Sequence, residues 1–291
     1  MRRPVQCILM SALVLLGSWH LAEAVEPLKA YDSFEVGPIS PDRWNGFSLG
    51  ENFLAASSNL YEGSRLIVVD PLGVAGNLRN LRILNRSYGK TNNNSGTTRG
   101  VYGLNFKNPG TVRAIQARLK VITNPLTGGC SLNPDNAGAD AQLGGFFFNA
   151  AQPTTGDLTN GVFAGAGVKR KSNSADPANV LQAHASVHKC LDADCLNDVV
   201  LGSVSLGTVT VGQWVRLLVQ WDQPNHQFIF QRDSQAQQFV PYTVSDTDPP
   251  VLPLKLIGVN NDVPNCTGRV RPVASMNALF DDVVVNQSAL P

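Results

Sequence analysis

The side chains able to do chemistry in this chain are few, and they lie on segments of alternating polarity. Gln182, His184, Ser186 and His188 occupy every second position of VLQAHASVHKC (180–190), opposite Leu181, Ala183, Ala185 and Val187. Extended, that segment sends the polar set to one face and the apolar set to the other. On a helix begun at Asp176-Pro177 the two histidines would stand at i and i+4, able to share a metal. On a strand they stand roughly 13 Å apart at about 3.3 Å per residue, beyond a common ion. The β-branched residues favour the strand, so a His184–His188 metal site is rejected. A second set is Trp214, Arg216 and Gln220 in Gln213 to Trp221, with Arg118 in Val112 to Thr123. One aromatic plane with guanidinium and amide donors suits a sugar ring and its hydroxyls. Taken side by side in one sheet, Trp214, Arg216, Gln220, Arg118, Gln182 and His184 form the candidate carbohydrate-binding face; the same pattern also suits a merely solvated sheet face.

Other chemistries lack their patterns. A Ser–His–Asp hydrolase is expected to carry a Gly-x-Ser-x-Gly elbow, and none is present. The glycines of Gly100 to Gly103 and Gly161 to Gly167 precede no helix, so they are not phosphate loops. Phe146, Phe147 and Phe148 form a run too apolar to serve mainly as a sugar platform, and most of it belongs in a core. Lys+Arg number 23 against 22 Asp+Glu. That near-balance leaves no basic surplus for a phosphate backbone, so no nucleic-acid partner is expected.

Arg2 and Arg3, the apolar run CILMSALVLLG (7–17) and Ala22-Glu23-Ala24 read as an export signal cleaved after residue 24. The run is too short to span a bilayer comfortably, and no later segment approaches a spanning length. The expected product is residues 25–291, secreted or periplasmic, with no membrane span after cleavage. Cys130, Cys190, Cys195 and Cys266 remain, and an even count in an exported chain favours disulfides. Of three possible pairings, Cys190–Cys195 is preferred because the residues between them read as a turn, which leaves Cys130–Cys266. One close pair is too little for a zinc knuckle.

The elements that must position these residues are strands. Arg65 to Asp70, Leu81 to Tyr88, Gly100 to Phe106, Val112 to Thr123, Gly144 to Ala150 and Gly161 to Lys169 alternate or run apolar. So do Val180 to Cys190, Val199 to Leu206, Gln213 to Trp221, Gln227 to Arg232, Lys255 to Asn260 and Ala278 to Asn286. Turn clusters such as KTNNNSG (90–96) and SDTDPP (245–250) separate them. A dozen short strands without a linker or a repeat predict one all-β domain over 25–291, an antiparallel sandwich. Trp221, Phe228, Phe230, Leu217, Val219 and Leu119 are its expected core.

The ends of the chain carry a further pattern: Tyr31-Asp32-Ser33-Phe34-Glu35 with Ser40-Pro41-Asp42-Arg43-Trp44, and Ala278-Leu279-Phe280-Asp281-Asp282-Val283. These, with Asn80 to Gly89 and Gly212 to Asp222, resemble the concanavalin A-like lectin/glucanase superfamily, which implies a jelly roll and no single chemistry. The Glu-x-Asp-x-x-Glu strand of its laminarinase-like hydrolases is absent, and Asp281 and Asp282, adjacent on a strand, point to opposite faces. Gln182-Ala183-His184 resembles one strand of its alginate-lyase type, while the arginine-rich and Tyr-x-Lys elements are missing. The resemblance implies no required cofactor but a possible structural Ca²⁺ between Asp32 or Glu35 and Asp281 or Asp282, with Asp192, Asp194 and Asp198 as a lesser cluster. The leading expectation is a non-catalytic lectin-like module contacting a glycan or cell-envelope component. The alternatives are a polysaccharide lyase with His184 as base and Arg86 or Arg118 against a uronate, and a purely structural envelope protein.

Overall fold

The computed structural model describes residues 26–49, 61–74, 77–151, 156–195, 197–268 and 271–291; the expected export signal lies outside them. The expected strands all form, most of them over wider bounds, while Val112, Arg113, Ala150 and Gln213 fall just outside theirs. In chain order they are β1 (Leu28–Asp32), β2 (Trp44–Leu49), β3 (Tyr61–Val74), β4 (Asn77–Tyr88), β5 (Thr97–Phe106), β6 (Ala114–Thr123), β7 (Gly138–Asn149) and β8 (Gly161–Lys171). There follow β9 (Val180–Cys190), β10 (Asp198–Thr210), β11 (Trp214–Asp222), β12 (Gln227–Arg232), β13 (Gln238–Pro241), β14 (Lys255–Pro264) and β15 (Val273–Asn286). The segment around His184 and His188 is strand, as its β-branched residues require.

The strands build two antiparallel sheets. Sheet A runs β13-β12-β11-β6-β15-β4-β3, and β1 joins the far end of β15 beyond the reach of β4; sheet B runs β10-β9-β8-β7-β14-β5-β2. The chain is an all-β antiparallel sandwich. Both sheets supply large groups to the core, Ile115, Leu119, Leu217, Phe228, Phe230 and Phe280 from sheet A and Leu104, Phe106, Leu143, Phe148, Leu181 and Ile257 from sheet B, and sheet B adds a set of alanines, among them Ala139, Ala141, Ala164, Ala166, Ala183 and Ala185. Small residues facing large ones let the two sheets approach closely without voids. Trp221 caps this core at one end, stacked on Phe148 at 5.2 Å with its indole N–H donating to Tyr242 Oη at 2.7 Å. The Phe146–Phe148 run is buried throughout.

Both disulfides form as expected: Cys130–Cys266 and Cys190–Cys195, with Cα atoms 6.1 and 4.8 Å apart. No helix among the described residues is long and apolar enough to cross a membrane.

Candidate functional site

The residues expected to share one binding face occupy two. Trp214, Arg216 and Gln220 on β11 and Arg118 on β6 face outward from sheet A, whereas Gln182 and His184 on β9 face outward from sheet B. Alternation decides which side of a strand is polar, but not which sheet receives the strand. The six residues therefore do not form one surface. Arg86 on β4 and Arg118 on β6 are likewise on sheet A, so neither stands beside His184 to neutralise a uronate.

On sheet A, Trp214 lies opposite Lys120 and Arg216 opposite Arg118 in the β11–β6 register. The Trp214 ring carries the Arg118 guanidinium at 4.8 Å and the Lys120 ammonium at 4.9 Å. Those cations are already engaged: Arg118 pairs with Asp282 at 3.1 Å and Asp281 at 3.8 Å, and Lys120 with Asp70 at 2.5 Å. A shallow cleft of about 300 Å³ lies between Arg118, Trp214, Arg216 and Asp233.

The carboxylates expected to hold calcium are engaged separately. Asp32 accepts the Phe34 backbone N–H at 2.8 Å and the Trp44 indole N–H at 2.7 Å, and pairs with Arg43 at 3.6 Å. Phe34 is turned into the left-handed region (φ 56°) and stacks on Trp44, so the Asp-x-Phe and Trp elements of the sequence form a local corner. Glu35 accepts from the Arg79 backbone at 2.9 Å, and Asp281 and Asp282 face Arg118. Asp192 accepts from Asn197, and Asp198 from His188. Among the described residues no three His, Cys, Asp or Glu converge as a metal site.

Sheet B offers a differently built surface. Following the registers from β5 to β10, one outward row reads Gly103, Gly258, Gln142, Gly167, His184 and Ser205. The row on one side reads Val101, Asn260, Asp140, Lys169 and Gln182, and the row on the other reads Leu256, Gly144, Gly165, Ser186 and Ser203. Five glycines thus thin the side-chain cover in the middle of the face, where the Asp140 carboxylate lies over Gly167 and the Phe163 ring over Gly165. Glycine is required there: a Cβ on Gly103 would lie 2.3 Å from the Ile257 carbonyl oxygen, and one on Gly167 would lie 2.3 Å from Asp140 Oδ1. Glycine inside a strand marks such close approaches.

Polar groups gather where the glycine band meets β7 and β9. His184 Nε2 lies 2.8 Å from Asp140 Oδ2, and Gln182 Nε2 donates to Asp176 at 2.5 Å. An ionised carboxylate only accepts, so the ring proton sits on Nε2 and Nδ1 keeps its lone pair. Asp140 Oδ1 and Asn260 Oδ1 are both enclosed and have no hydrogen-bond partner. Their residues are partners in the β14–β7 register, so their side chains start about 5 Å apart. Asp140, Gln142 and Asn260 were not among the expected site residues. Asp140 and Gln142 precede the strand expected over Gly144 to Ala150, and Asn260 is the last residue of the one expected over Lys255 to Asn260.

No protein-family model matches this sequence, and no curated protein matches it. Among solved structures it is similar to LamAcat from Zobellia galactanivorans (13% identity, 86% of this chain and 95% of that one, TM-score 0.38). It is also similar to a glycoside hydrolase family 16 endo-glucanase from Bacteroides ovatus (13%, 87% and 97%, 0.40) and to peanut lectin (14%, 82% and 97%, 0.27).

Proposed function

We propose that this protein is an exported, lectin-like module, non-catalytic toward the glycan it binds, that lays a polyhydroxylated glycan, free or part of the cell envelope, across the outer face of sheet B. The observation that carries this reading is the pair of enclosed acceptors, Asp140 Oδ1 and Asn260 Oδ1, left without donors beside a glycine-rich band. Enclosed polar atoms are nearly always satisfied, and a small rotation of the Asp140 or Asn260 side chain toward the face would let a saccharide hydroxyl supply the missing donor. Gln142 adds an amide, His184 an acceptor at Nδ1 and Lys169 a cation on the neighbouring row. Export is supported by the leader-like first 24 residues and by two disulfides, which suit an oxidising compartment.

A glycan array followed by calorimetry on the best ligand tests this reading. Gln142→Ala and Asn260→Ala are expected to weaken binding about 10-fold each, the cost of one lost hydrogen bond. Binding that survives both changes but fails in Trp214→Ala and Arg216→Ala would move the site to sheet A. Absence of any glycan binding would refute the reading. A parallel 235-nm assay on anionic polysaccharides is expected to show no unsaturated product; product that disappears in His184→Ala would make the protein a lyase.

A further inference from the structure

A second histidine on the same face of sheet B belongs to a constellation that glycan binding does not use. His188 Nδ1 lies 2.9 Å from Asp198 Oδ1, and its Nε2 lies 2.8 Å from Ser186 Oγ. Because the carboxylate only accepts, Nδ1 carries the ring proton and donates it to Asp198. Nε2 is then the lone-pair nitrogen and accepts the Ser186 hydroxyl proton. Hydroxyl, imidazole and carboxylate are thus linked in the order that turns serine into an acyl-transfer nucleophile.

Strand geometry holds the three groups together. Ser186 and His188 are two apart on β9 and so share its outward face, while Asp198 opens β10 opposite Cys190. The Cys190–Cys195 disulfide and the Leu191 N–H to Asn197 carbonyl bond of 2.9 Å close the connecting turn that brings Asp198 back. A bulge in β10 between Val200 and Gly202 falls directly opposite His188 and Val187. Bulges of this kind re-aim side chains beside reactive sites.

The surroundings leave room for a substrate. Ser186 faces Gly165 and then Gly144 along its row, so among the described residues the only side chain beside that approach is the Phe163 ring, which leans over Gly165. His188 faces Phe163, which packs with Phe146, Leu254 and Leu256 as an apolar wall. The His188 and Asp198 side chains are 27% and 30% exposed, open enough to be reached from solvent.

We propose that Ser186, His188 and Asp198 form a nucleophilic triad that hydrolyses small carboxylic esters. Ser186 Oγ attacks the ester carbonyl carbon while His188 Nε2 takes the hydroxyl proton. The carbonyl-carbon bond to the alcohol oxygen then breaks, and the alcohol leaves with that proton. Water, deprotonated by His188, attacks the acyl-serine; the bond from acyl carbon to Oγ breaks, Oγ regains the proton, and the carboxylic acid departs. Asp198 is a positioning residue that fixes the ring and balances the imidazolium charge. The triad was not foreseen because the Gly-x-Ser-x-Gly search looks for a strand-to-helix turn, whereas here hydroxyl and imidazole stand two apart on one strand. The inference does not rest on the glycan reading, and its test contains no saccharide.

The test treats the purified protein, both disulfides intact, with a fluorophosphonate probe and separately with p-nitrophenyl acetate. Peptide mapping of the wild-type protein is expected to place the probe on Ser186. Ser186→Ala should remove the label and reduce ester turnover to background. His188→Gln and Asp198→Asn should slow both reactions about 100-fold or more at an unchanged melting temperature. The wild-type labelling rate should also rise with pH along a limb that His188→Gln lacks, which a purely structural role would not produce. Absence of label on Ser186, or labelling equally fast in His188→Gln, would overturn the proposal; the mapped wild-type site decides it even if a variant folds poorly.

Discussion

Lys255 is 2% exposed, its ammonium held 2.7 Å from the Phe146 carbonyl oxygen and 3.2 Å from that of Pro109, over the Phe147 ring. Burial without a carboxylate partner pushes its pKa down to about 7. Between about pH 7 and its ordinary value of 10.5 the unfolded chain keeps a proton there that the folded chain has released. Its contribution to stability therefore rises with pH across that window and is lowest below it. Urea unfolding of wild type and Lys255→Met at pH 6.5 and 9.5 should show the wild type gaining on the variant, by at most about 1.4 kcal/mol per pH unit. A difference that does not change with pH contradicts the assignment. Arg118 is a second residue with a stability role, since it faces Asp281, only 1% exposed, at a bulge of β15. Arg118→Ala should cost about 1–3 kcal/mol in the same unfolding measurement, and Arg118→Lys less.

Elements depend on what crosses between them. Cys130–Cys266 ties positions 136 residues apart, whereas Cys190–Cys195 closes a turn with a separation of 5. Loop entropy assigns about 5 kcal/mol to the first and about 2 kcal/mol to the second. Paired Cys→Ser variants, unfolded in urea, should differ in that order; a larger loss from the short bridge would show that its role lies in the β9–β10 turn rather than in the unfolded chain. The β7–β8 pair makes a sharper demand. Gly167→Ala puts a methyl group where Asp140 Oδ1 lies, so the carboxylate must leave His184. The substitution should cost about 1–3 kcal/mol by overpacking. It should also weaken glycan binding, while alanine at Gly110, whose Cβ meets nothing within 4 Å, leaves binding intact.

At the scale of the whole molecule, one apolar cluster runs continuously from sheet A to sheet B, from Leu81 and Phe230 to Leu143 and Val187. A single core predicts a single unfolding transition under oxidising conditions, coincident in far- and near-ultraviolet circular dichroism. Two separated transitions would divide residues 25–291 into two units. The N-terminal strand β1 pairs with the C-terminal β15, so the sandwich closes only through contacts distant in sequence. Refolding should accordingly fall in the slow range of β proteins, milliseconds to seconds or longer.

Much of this architecture was legible from period-two alternation, because a strand buried on one face must alternate and each turn cluster must end it. The β-branched residues and strand context of Val180 to Cys190 favoured strand over helix for His184 and His188, and the turn-like residues between Cys190 and Cys195 pointed to a local bridge. The pairing of strands was not legible. Arg118 meets Arg216 across a β6–β11 ladder that joins residues about a hundred positions apart, and β9, with the same alternation, went to the other sheet. Tertiary register likewise brought Asp140 beside His184 and Asp198 beside His188, and it set Asp32 against the Trp44 indole N–H. The sequence by itself determined which side of each strand is polar, since that follows from local burial. Only the tertiary structure decided which polar sides share a surface, because partner choice depends on how the two faces of the core fill each other.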